Sequence, residues 1–113
     1  MGDMNIINPK AKVQIFQNFS ATEQMQMREA ILEVVKALRE QIPAEAKREA
    51  FDKPLAELEA EAKTNNPSGE KVGGLLRKVG NMFEAVGRPI EKIVATLKGV
   101  TELAGWLGQY WPF

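Results

Sequence analysis

At 113 residues the chain is long enough for one hydrophobic core and short for two. It contains neither cysteine nor histidine, which removes disulfide scaffolds, Cys/His zinc sites, Cys-His dyads and Ser-His-Asp triads from consideration. Fifteen basic residues balance fifteen acidic ones, so no field of one sign draws the molecule to a nucleic-acid backbone.

The start, Met1-Gly2-Asp3-Met4, lacks the basic and apolar regions of a secretory signal. Ile6 stands where a myristoylation motif needs Ser or Thr. The charge-free run from Leu103 to Phe113 is far short of the ~20 apolar residues that span a bilayer. The expectation is a soluble, cytoplasmic chain. Residues 1–19 read as an extended N-terminal arm, because Val13, Ile15 and Phe19 alternate after the breaker Asn8-Pro9. No second strand candidate follows, so three readings stay open: the arm is disordered, pairs with another copy, or adds to a partner's sheet.

Residues 20–113 read as a bundle of three to four helices, giving an all-α fold class. Ser20-Ala21-Thr22-Glu23 is a capping box. Met27, Ile31, Val34, Val35, Leu38 and Ile42 then form one apolar stripe. Pro43 ends this helix or opens the next. Residues 44–63 favour helix, with Pro54 predicting a kink or a fresh start capped by Asp52. Thr64-Asn65-Asn66-Pro67-Ser68-Gly69 is a turn. The sharpest periodicity follows, in Val72, Leu75, Leu76, Val79, Met82, Phe83 and Val86, with Gly87 as the stop. Pro89 opens a fourth helix with Ile90, Ile93, Val94, Leu97 and Val100 on one face. Residues 44–63 carry six acidic and four basic groups and residues 64–113 four and six, an offset that suits two segments packing together.

Candidate chemistry is sparse. Ser68-Gly69-Glu70-Lys71 has the spacing of a serine–lysine pair, but at a polar turn it reads better as a helix start. Glu57, Glu59 and Glu61 are spaced by two on a helix and diverge, so they form a solvated face. Gly73-Gly74 with Gly80 follows no strand and suits close helix–helix approach better than phosphate binding. Lys71, Arg77, Lys78 and Arg88 lack interleaved aromatics, which disfavours nucleic acid as a partner. No catalytic residue, metal ligand or cofactor is expected, and the chain reads as a non-enzyme.

Both tryptophans and the single tyrosine lie in the last eight residues. Leu103, Trp106, Leu107 and Tyr110 share one helical face, with Trp111 and Phe113 beyond. Each such ring buries roughly 150–250 Å², so this tail either folds back on its own bundle or docks on something else. Together with Val13, Ile15, Phe16 and Phe19 it makes up the candidate interface. The predicted function is protein–protein interaction or self-association; the alternative is membrane-surface binding by the C-terminal helix and tail. The order of elements, with Pro43, Leu55-Ala56-Glu57-Leu58-Glu59, Asn65-Asn66-Pro67, Leu75-Leu76, Phe83 and Val86, resembles small helical modules attached to bacterial signalling and antiphage-conflict proteins. That resemblance implies association between chains and no catalytic residues.

Overall fold

The computed structural model describes residues 15–113. Among them every regular element is helical: α1 Ala21–Gln41, α2 Arg48–Ala62, α3 Gly69–Ala85, α4 Glu91–Ala95 and α5 Val100–Leu107. Short 3-10 turns at Phe16–Asn18 and Gly108–Tyr110 flank the set. The all-α expectation therefore holds. Val13 and the rest of the expected arm up to residue 14 lie outside the described residues.

The capping box forms. Ser20 Oγ accepts from the Glu23 N–H at 3.1 Å, and Glu23 Oε1 accepts from the Ser20 N–H at 3.0 Å. Pro43 forces Ile42 into extended backbone and ends α1 at Gln41. The α1 stripe from Met27 to Ile42 is buried throughout. On α3, Val72, Leu75, Leu76, Val79 and Phe83 are buried as well, and Phe83 meets Phe51 of α2 edge-to-face at 4.8 Å. α1 packs on α2, α2 packs on α3, and α5 lies against both α1 and α3.

Four expectations need correction. Of the two expectations for Pro54 the fresh start does not occur: α2 runs through it, and Pro54 is buried, as are Phe51, Leu55 and Leu58. A proline inside a helix loses one backbone hydrogen bond and crowds the carbonyl four residues earlier, a cost offset here by the burial of Pro54 with its neighbours. Asp52 is no cap; its carboxylate faces Arg39 Nε at 3.6 Å and Arg48 Nε at 3.8 Å. Val86 is 42% exposed, because the helix ends one residue before it and Gly87 takes φ +77°. Gly87 and Arg88 donate to the carbonyls of Glu84 and Phe83 at 3.0 and 2.9 Å, the pairing of a Schellman stop.

The fourth correction is the largest. The single helix expected after Pro89 is two, broken between Thr96 and Gly99. Gly99 takes φ +83°, and a Cβ there would sit 3.1 Å from the Ala30 Cβ and 3.3 Å from the Gln26 carbonyl oxygen of α1. The chain thus turns where its backbone touches α1, and the turn lays α5 across the core.

Arg28 locks the other end. Its Nη1 donates to the carbonyls of Ala62 and Thr64 and its Nη2 to that of Asn65, at the C-terminal end of α2. A cation is favourable at that end of a helix dipole. The same guanidinium lies 4.8 Å from the Phe16 ring centroid.

Candidate functional site

The aromatic residues singled out in the sequence separate into two groups. Leu103, Trp106 and Leu107, spaced by three and four, turn inward from α5 and are fully buried. Trp106 meets Phe16 edge-to-face at 5.1 Å, and Phe16 is itself only 1% exposed. These four are core residues, which corrects their place in the candidate interface. Phe16 also sits in a 3-10 turn, not in extended backbone, so the core begins ahead of the expected boundary at residue 19. Ile15 is 58% exposed and Phe19 half-buried against the core.

Tyr110, Trp111 and Phe113 form the second group, all half-buried. Gly108, at φ +54° and ψ −121°, ends α5 in backbone geometry suited to glycine. The Trp111 N–H donates to its carbonyl at 3.0 Å, and the chain is redirected along α3. A Cβ on Gly73 would lie 2.5 Å from the Tyr110 Cβ, and one on Gly80 would lie 3.0 Å from the Phe113 ring. Seven helical residues rise about 10 Å, and three extended residues cover about the same distance. The tail therefore keeps step with two turns of α3, seated on Gly73 and Gly80. The close helix–helix approach expected of these glycines is not what Gly73 and Gly80 serve: their neighbour is the tail, and a Cβ on Gly74 would meet nothing within 4 Å.

Trp111 and Phe113 meet edge-to-face at 5.5 Å. They line an open groove of about 520 Å³ together with Ala95 of α4 and Val100, Thr101 and Ala104 of α5. Glu91 and Lys92 supply its charges. Sequence reasoning found the two aromatics and missed the other six lining residues. Their signal was faint: small side chains at 95 and 104, which acquire meaning only once the helix breaks at Gly99.

A second groove, of about 620 Å³, lies between α1 and α5, lined by Gln26, Glu29, Leu32 and Glu33 on one side and Lys98, Gly99 and Glu102 on the other. Elsewhere several charged side chains serve the scaffold. Glu61 accepts from the Ser68 N–H at 2.8 Å and faces Lys71 Nζ at 3.5 Å. Ser68 Oγ accepts from the Lys71 N–H at 3.2 Å, so the Ser-x-x-Lys spacing is a helix cap whose lysine amine points to Glu61. Among the described residues no group of three or more acidic side chains is placed to hold a metal ion. No helix among them is long and apolar enough to cross a membrane. Of the residues on which the membrane-surface alternative draws, Leu103, Trp106 and Leu107 are buried in the core, and Tyr110, Trp111 and Phe113 are half-buried.

Comparison with protein-family models, with curated proteins and with solved structures finds no match to this chain.

Proposed function

We propose that this chain is a non-catalytic association module that binds another protein surface at the groove between α4, α5 and the C-terminal tail. The observation that carries this reading is the pair Trp111 and Phe113, half-buried and held edge-to-face beside the small residues Ala95 and Ala104. Rigid aromatic side chains next to shallow depressions are the usual anchors of protein interfaces. The groove is open and does not enclose a ligand as a small-molecule site does. Its residues are Thr101 and one ion of each sign beside an apolar lining.

In this reading the helices are a scaffold, Gly73 and Gly80 fix the tail, and the chain acts in the cytoplasm. Affinity capture from the native host lysate, paired with mass measurement in solution, tests it. The intact chain should either self-associate or retain a specific protein, and Trp111→Ser should lose that association while helix content by circular dichroism stays the same. A Trp111→Ser chain with unchanged mass and unchanged captured proteins would overturn the proposal.

A further inference from the structure

We infer that the surface received by this groove is a second copy of the same chain, in a two-fold dimer; the inference rests on the association reading above. Charge decides between the two grooves beside α5. The groove between α1 and α5 presents Glu29, Glu33 and Glu102 against Lys98 alone. Two such surfaces brought together about a two-fold axis would repel, since like charges across an interface oppose association. The groove at the tail presents one acid and one base, Glu91 and Lys92. Neither takes part in an ion pair among the described residues.

In a two-fold interface, residue i of one copy meets residue j of the other, and j meets i. One acid beside one base satisfies that rule, with Glu91 of each copy facing Lys92 of its mate. Shape obeys the same rule. The patch sets the half-buried ring of Trp111 in the same groove as the small side chains of Ala95 and Ala104. Each copy can therefore offer its ring to the other's alanines. The balanced total of fifteen basic and fifteen acidic residues adds no net repulsion between copies. Stable interfaces engage about 20–30 residues a side, many more than line this groove, so the dimer is weak and concentration-dependent.

Sedimentation equilibrium of the full chain, from micromolar to millimolar, reads the outcome. The parent should pass from its monomer mass of 12.6 kDa to twice that value. Glu91→Lys alone and Lys92→Glu alone should each weaken the dimer by on the order of tenfold, because each change is felt at two symmetric places. The double exchange should restore it, and an equimolar mixture of the two single variants should associate more tightly than either alone. Both side chains are exposed on a short helix, so folding is spared. A chain that stays monomeric throughout, or a dimer indifferent to both exchanges, overturns the inference. If that monomer retains another protein from lysate and Trp111→Ser does not, the second copy is refuted and the association reading survives. If capture is also unaffected by Trp111→Ser, both fall.

Discussion

A methyl group added at Gly73 would stand 2.5 Å from both the Cβ and the carbonyl oxygen of Tyr110, whereas one added at Gly74 would meet nothing within 4 Å. Both residues lie inside α3, where alanine is the better helix former by about 1 kcal/mol. Gly74→Ala should therefore stabilise the protein by up to that amount. Gly73→Ala should destabilise it by about 1–3 kcal/mol, the usual cost of overpacking, because backbone atoms of the tail cannot step aside as a flexible side chain can. Urea denaturation of the two variants, read as opposite shifts of the midpoint, checks the seating of the tail. Equal stabilisation by both would mean that the tail does not rest on α3. Arg28 offers a second residue-scale test. Replacing it with Met keeps the stem and leaves the carbonyls of Ala62, Thr64 and Asn65 without their shared donor. A loss of about 2 kcal/mol is expected, in the range of hydrogen bonds made by charged groups, and the same denaturation experiment measures it.

Elements follow a rule that single residues do not show: those fixed by local pattern were legible in the sequence, and those fixed by a distant contact were not. α1 and α3 carry a cap, an apolar stripe and a stop signal in consecutive residues, and each folds as read apart from the exposed Val86 at the end of α3. Leu76 and Phe83 are the sharpest consequence. Both are buried, at 1% and 0% exposure, so truncating either to alanine should cost about 2–5 kcal/mol in thermal or chemical unfolding. Gly87→Ala should cost about 1–2 kcal/mol, the penalty for a side chain in the left-handed region. Beyond Pro89 the apolar positions continue at helical spacing through Val100, and Gly99, Gly105 and Gly108 mark the far end as weak without fixing where it breaks. The break falls at Gly99, which takes a positive φ where its backbone lies against Ala30 and Gln26, residues some seventy positions earlier. The same holds for the division of the aromatic tail. Leu103, Trp106, Leu107 and Tyr110 share a face only while the helix continues, and the turn at Gly108 stops it. Trp106 is thereby sent to the core and Trp111 to the groove, a separation that composition and spacing did not reveal.

At the scale of the whole molecule, Phe16 joins the beginning of the described chain to its end. Its ring is 5.1 Å from Trp106 of α5 and lies beneath the Arg28 guanidinium of α1. Through these contacts it touches the element that closes the core and the residue that holds the end of α2. A phenylalanine truncated to alanine in such a place costs about 3–5 kcal/mol, a large share of the roughly 5–15 kcal/mol that holds a domain together. Phe16→Ala is thus expected to bring the protein close to unfolding. Ile15→Ala, one residue away but 58% exposed, should change stability by no more than about 0.5 kcal/mol. Trp106 supplies an independent reading, because its indole is fully buried and, among the described residues, its Nε1 has no acceptor. With Trp111 replaced by Phe so that Trp106 is the single emitter, loss of the Phe16 ring should admit water beside the indole. Its emission should then move to longer wavelength, at a denaturant concentration where helix content is still that of the parent. Had the N-terminal turn been a separate arm, neither the midpoint nor the emission would respond to Phe16→Ala. A Phe16→Ala protein that melts with the parent and keeps a blue-shifted Trp106 would show that the core closes without it.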